Sequence, residues 1–253
     1  MLDEPYRWVE AVRNRREYVE DQLQGASPVV AARYDGGVLM LTSTPGPRKL
    51  FEVYNEVAFA AVGHPADIEK LRKAVIDIAH VEAYNLSASD VSLHRLVSFG
   101  MGPLMKTAFD EIFRSPYLAR VLVAELEPSN ERETFYTIDA DGSFQGAGDA
   151  AAVAGTATAA QAATAWLRSH EPDEGGLRGQ LRRGLEAWGA ARASAGAASE
   201  GEPDGETIAS CVREAVAAQR LEAAVLDPSL PTKTKFRLLT EEELEPVLSP
   251  YRD

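Results

Sequence analysis

Apolar residues along the chain follow two rhythms, one of period two and one of the helical period. The strand rhythm dominates after a polar opening segment. Val29–Tyr34 and Val38–Leu41 are β-rich runs separated by Asp35-Gly36-Gly37, and Asp-Gly between such runs is a strong hairpin signal. Lys49 to Val62 holds two further strand candidates, broken near Tyr54-Asn55. Ala119 to Ile138 is predicted to turn at Pro128-Ser129-Asn130, and Leu221 to Leu239 to turn between Asp227 and Pro231. A short strand is expected near Ala151–Ala154.

The helical rhythm fills the gaps. Asp3 and Glu4 precede a predicted helix from Pro5 to Leu23, with Pro5 suited to its first position and Gly25 to its end. Trp8, Val12, Val19 and Leu23 form a narrow stripe on it, so one face is expected to be buried. Pro65 to Tyr84 is the next helix. Ser89 or Asp90 is expected to cap another that runs to about Phe113, with Gly100, Gly102 and Pro103 marking a kink. Ala159–Arg168, Leu177–Arg192 and Glu241–Leu248 complete the set. Gly146-Ala147-Gly148 and Gly175-Gly176 read as turns, and Ala190 to Asp204 as a mobile surface loop rich in Ala, Gly, Ser and Glu. The order is strands, two helices, strands, two helices, strands. It predicts an α+β fold, a four-layer αββα sandwich of two sheets between helix pairs, because a doubly wound parallel sheet would alternate strand and helix throughout. One domain is expected over residues 1–253, with residues 1–26 as an N-terminal segment and helix and residues 189–206 as a flexible insertion.

Composition narrows the function. The chain has 253 residues, 45% of them hydrophobic, enough for a sizeable core. Its net charge of −13 disfavours nucleic acid and anionic membrane surfaces as partners, since both are bound through Lys and Arg. One cysteine, Cys211, excludes an intrachain disulfide and a cysteine-based metal site, and fits a reducing cytoplasm. No apolar leader core is visible in the first residues, and no run reaches the ~20 apolar residues of a membrane helix.

Most chemical motifs fail on spacing. His64, His80, His94 and His170 fall on different elements without metal-ligand spacing, so no metal is expected. Asp139 to Gly142 (DADG) lacks the rest of a calcium loop and reads as a turn. No phosphate-cradling glycine loop appears, and no cofactor is expected. Glu241-Glu242-Glu243 is an acidic first helical turn, and the Met101/Met105 spacing reads as core packing.

The most specific signal is a resemblance spread along the chain. From Val12 to Leu39, VRNRREYVEDQLQGASPVVAARYDGGVL carries an Arg-x-Arg-x-Glu helix, a Ser before a Val-Val strand and a Tyr-x-Gly-Gly-Val-Leu hairpin. Arg48 to Tyr54, Phe59 to Gly63, Asp90-Val91-Ser92, Arg220 to Asp227 and Lys235-Phe236-Arg237 continue in the same order. This pattern resembles actinobacterial-type proteasome α-subunits, whose fold is that of the N-terminal-nucleophile hydrolases. Gly189 to Cys211 departs from it as extra residues.

The resemblance implies specific roles. Active β-type subunits use an exposed N-terminal threonine whose α-amine is the general base, assisted by an acid and a lysine. Ser27 stands at the threonine's position and Ser43 at the acid's, while Lys49 matches the lysine and Gly63 the substrate-binding glycine. A retained 26-residue prefix, Pro28 beside Ser27 and the loss of the acid imply a non-catalytic subunit with no catalytic residues. The α-type role implied is a heptameric ring that caps β-type rings, restricts entry through Met1, Leu2, Asp3 and Glu4 within a polar Met1–Arg7 gate, and docks an AAA ATPase. Lys49 would pair with the activator's C-terminal carboxylate, and Gly63 would allow close backbone approach. The Tyr-Asp-Arg gate element of archaeal and eukaryotic α-subunits is missing here. Two alternatives stay open: a self-processing hydrolase using Ser27, and an orphan proteasome-like ring protein.

Overall fold

The computed structural model describes residues 4–87, 91–111, 113–126, 133–195, 203–218 and 220–252. Helix α1 (Glu4–Leu23) leads into β1 (Val29–Tyr34) and β2 (Gly37–Thr44), then β3 (Leu50–Tyr54) and β4 (Val57–Gly63). Helix α2 (Pro65–Asn85) follows, then α3 (Leu93–Arg95), a π-helical stretch (Leu96–Met101) and α4 (Gly102–Asp110). Strands β5 (Ala119–Glu125), β6 (Phe135–Ile138), β7 (Phe144–Ala147) and β8 (Ala150–Val153) precede α5 (Ala157–Ser169), α6 (Gly176–Ala195) and α7 (Gly205–Ala218). Strands β9 (Arg220–Leu226) and β10 (Phe236–Leu238) and helix α8 (Glu241–Leu248) end the order.

Strand alternation builds the layers. Five strands form one sheet in the order β10-β9-β2-β1-β8 and five the other in the order β3-β4-β5-β6-β7, with antiparallel pairing throughout. Val29, Ala31, Val38 and Met40 point between the sheets, where they meet Leu50, Ala58, Ala60, Leu122 and Phe135. Their neighbours Val30, Ala32, Leu39 and Leu41 point the other way, onto Leu167, Leu185 and Trp188 of α5 and α6. On the far side of the second sheet, Phe59, Val121 and Val123 pack on Leu71 and Val75 of α2 and on Leu96 and Met101. Two sheets buried on both faces need near-continuous apolar strands, which explains runs such as VAFAAVG in β4. The four-layer αββα sandwich is the architecture the element order predicted.

Local differences have local causes. The kink expected near Pro103 is a π-helical stretch in which the Gly102 N–H reaches back to the Val97 carbonyl, absorbing one extra residue before proline starts α4. Ser89 and Asp90, the expected caps, lie outside the described residues, as does the turn at Pro128-Ser129-Asn130. Gly146-Ala147 is not a bare turn but part of edge strand β7, whose pairing of Phe135 with Ala147 extends the second sheet. The expected loop from Ala190 is helical to Ala195, with Ala190 and Ala191 buried, and α7 follows from Gly205. Gly189 lets α7 close in, since a Cβ there would lie 2.9 Å from Ile208.

Helix α1 is held by its C-terminal half. Val19 and Leu23 pack on Ala140 and Leu118, Arg16 pairs with Asp141 at 2.9 Å, and Arg15 donates to the Ala108 and Arg114 carbonyls. A 20-residue helix is about 30 Å long, longer than this anchorage. The stripe expected to bury therefore splits: Val19 and Leu23 are inside, Val12 is half-buried and Trp8 is 45% exposed. Among the described residues no helix is long and apolar enough to cross a membrane.

Phe135, fully buried between the sheets, tests the layer packing. Phe135→Ala should lower unfolding free energy by about 3–5 kcal/mol, read by chemical denaturation. A loss below about 1 kcal/mol would contradict a tight inter-sheet core.

Candidate functional site

The register of β1, β2 and β9 gathers the site at one end of the sandwich. Val29 pairs with Thr42, and Thr42 with Glu222, so the approach to β1, the end of β2 and the start of β9 lie side by side. Met40 and Ala224 face the gap between the sheets, and by alternation their register-mates Thr42 and Glu222 do so too. The Glu222 carboxylate spans that gap. It accepts the backbone N–H of Lys49 at 2.9 Å and of Leu50 at 3.1 Å, joining β9 of one sheet to the start of β3 in the other. Burial pushes the Glu222 carboxyl above its ordinary range, against the pull of those two N–H groups.

Lys49 extends from this clasp to Ser27. Its Nζ donates to the Ser27 carbonyl at 3.1 Å. Its pKa is lowered to about 8, first by burial and also by the charge of Arg192, while Glu222 acts in the opposite direction. Ser27 is fixed from several sides. Its hydroxyl donates to the Ser43 carbonyl and accepts the indole N–H of Trp188 at 3.2 Å. Thr42 Oγ1 donates to the Pro28 carbonyl at 2.7 Å, and the Ala26 N–H reaches the Leu23 carbonyl at 2.8 Å. The Ser27 nitrogen is in peptide linkage with Ala26. Its hydroxyl proton points at a carbonyl, which is no base.

Gly63 lies at the same end of the second sheet, because β3 and β4 pair Leu50 with Ala60. Its φ is +134°, and a Cβ there would stand 2.0 Å from the Leu118 carbonyl oxygen. Glycine is thus required by the local β4–β5 approach. Ser27, Ser43 and Lys49 are brought together as the hairpin alignment implied. Met1, Leu2 and Asp3 lie outside the described residues, and Glu4 begins α1.

Trp188, Glu222 and Arg192 were not singled out by the sequence. Glu222 did carry a signal: a carboxylate inside the apolar strand Leu221–Leu226 needs a buried partner. The four histidines keep separate company, His64 as the α2 cap, His80 on Tyr54, His94 on Tyr136 and His170 stacked on Trp166. Asp139–Gly142 is a hairpin turn whose Asp141 holds Arg16 and Ser143.

Comparison with known proteins agrees with this geometry. The family described as proteasome subunit matches residues 24–174. A proteasome subunit alpha from Actinosynnema mirum is 32% identical over 230 residues, covering 90% of this chain and 80% of the relative. Those from Saccharomonospora viridis and Geodermatophilus obscurus are 29% and 28% identical over 239 residues, covering 94% of this chain and 86% and 77% of the relatives.

The Lys49 environment sets a pH dependence. A folded pKa near 8 lies below the unfolded lysine's 10.5, so between those values the unfolded chain binds more protons and stability rises with pH. Charging Lys49 at pH 7 then costs on the order of 2 kcal/mol. Lys49→Met should be the more stable protein at pH 7, with the difference shrinking toward pH 10. Chemical denaturation across that range checks the slope, and parallel curves for the two proteins would refute it.

Proposed function

Because the chain belongs to the proteasome subunit family, we propose that it is an α-type subunit without catalytic activity, one that gates and docks on behalf of proteolytic β-type partners. The observation that carries this reading is the state of Ser27. A nucleophile needs a base within reach, and here the hydroxyl is spent on the Ser43 carbonyl and the Trp188 indole. Lys49, the one amine beside it, bonds the Ser27 carbonyl instead of the hydroxyl. The ordered helix before Ser27 also supports a mature chain that keeps residues 1–26.

Assembly follows from surface left over. Trp8, Val9, Tyr84 and Phe99 are exposed large apolar side chains, and apolar surface of that kind favours burial against neighbours. A heptameric ring of copies in head-to-tail contact would bury part of it, and β-type rings another part. In that ring the whole chain, residues 1–253, acts as one α-type domain. Met1 to Glu4 serve as the gate, and residues 189–206, which include the end of α6 and the start of α7, carry the insertion relative to the resembled pattern. Lys49 and Gly63 form the contact for the C-terminal carboxylate of an AAA ATPase activator, an ammonium being a fitting partner for a chain end. The setting is the cytoplasm, where the lone Cys211 stays reduced.

Intact mass of the mature protein separates this from a self-processing Ser27 hydrolase. Retention of residues 1–26 is expected, and their loss would overturn the non-catalytic reading. Deleting Met1–Arg7 should raise small-peptide hydrolysis by the assembled particle of this chain and its β-type partner several-fold, as an opened entrance would; an unchanged rate in an intact particle would remove the gate from these residues.

A further inference from the structure

Two elements converge on Ser27, one at its carbonyl and one at its hydroxyl. Lys49 arrives from the start of β3 and reaches the Ser27 carbonyl at 3.1 Å. Helix α6 arrives on the other side, with the Trp188 indole on the Ser27 hydroxyl at 3.2 Å. Arg192 stands four residues after Trp188 on the same helix, hence on nearly the same face, one turn further along. It is half-buried. Its charge bears on Lys49 and also on Cys211 of α7.

Glu222 offsets the charge of Lys49 only in part, since burial still lowers the lysine's pKa. Among the described residues Arg192 makes no hydrogen bond or ion pair. Glu222 is the one carboxylate whose charge bears on Lys49, and both its oxygens are engaged by the N–H groups of Lys49 and Leu50. Two half-buried cations beside one carboxylate leave positive charge in excess at this point of a chain whose net charge is −13. A chain-end carboxylate suits the vacancy in charge: one oxygen for a point ammonium, and a planar face for the guanidinium fork. The last turn of α6 offers Arg192 a favourable dipole whether or not a ligand binds, so stability alone does not report on this role.

We propose that Arg192 is a second cation of the docking site, gripping the partner's C-terminal carboxylate together with Lys49; this rests on the docking reading above. Arg192 belongs to the segment from Gly189 that departs from the resembled pattern, so it sets the affinity of this chain in particular for its partner.

The test uses the assembled full chain and a fluorescein-labelled peptide, Gly-Ser-Ala-Leu-Leu, ending either in a free carboxylate or in an amide. Fluorescence anisotropy is expected to give tighter binding of the acid to the wild type. Arg192→Gln should cut the acid-over-amide preference about five- to tenfold, Arg192→Lys should restore most of it, and Lys49→Gln should remove it. Thermal unfolding confirms that each variant is folded. If Arg192→Gln keeps the full preference while Lys49→Gln loses it, the role of Arg192 is overturned and docking at Lys49 stands. If the wild type itself does not prefer the acid, the docking reading falls and the inference with it.

Discussion

The carboxylate of Glu222 is the constraint on which the rest of the site depends. Taking a carboxylate out of water costs several kcal/mol unless donors replace the lost hydration. Two backbone N–H groups from the opposite sheet do so here. The consequence is positional. An edge strand begins with unpaired N–H groups, and Glu222 satisfies those of Lys49 and Leu50 in the same act that fixes how β3 sits over β9. The clasp fixes the start of β3 against β9, and with it the point from which the Lys49 side chain reaches Ser27. Removing the carboxylate would leave two buried N–H groups and a lysine without its nearest opposite charge.

On the non-catalytic reading proposed above, Ser27 is a case of a fold built for a nucleophile holding a hydroxyl without using it. Catalysis of the N-terminal type asks three things of one residue: a free amine, a hydroxyl free to lose its proton, and a lysine poised at that hydroxyl. Here the hydroxyl is engaged by one donor and one acceptor, and the lysine bonds the carbonyl. What survives is the electrostatic part of the pocket. A desolvated ammonium is suited to binding an anion, which is the role proposed for Lys49.

Much of this fold was legible because it is carried by local patterns. Alternation along β1, β2, β4 and β5 and the Asp35-Gly36 turn fix strands and faces without knowledge of neighbours. Three failures share a different cause. The strand Phe144–Ala147 has two glycine-or-alanine positions and forms only because Phe135 to Ile138 offers it a template. Residues 190–195 look loop-like, yet small side chains are what allow α7 to approach α6. The α1 stripe was read as one buried face, but burial stops where the body ends beneath it. The site divides the same way. Ser27, Ser43 and Lys49 are close in sequence and the hairpin spacing finds them. Trp188 and Glu222 reach the same place from sequence separations of 161 and 173 residues, and spacing carries no information over that distance.

If Lys49 and Arg192 dock a chain end as proposed, the acidity of the chain sharpens what these two cations can do. A net charge of −13 repels an incoming carboxylate at long range, so steering does not deliver the ligand. Salt at physiological strength screens that repulsion beyond about 8 Å, leaving contact distance as the range at which charge decides the outcome. At contact the dielectric is lower and the cations are half-buried, so each ion pair is worth more than a surface pair, whose value is about 0–1 kcal/mol. Recognition is then concentrated in the dissociation rate and in geometry: a chain end must be free, and must fit between the helix bearing Arg192 and the strand bearing Lys49. An internal acidic side chain on the same partner meets the global repulsion without that fit. In the proposed docking, acidity of the body and the charge of two local cations therefore act together as a filter for chain ends.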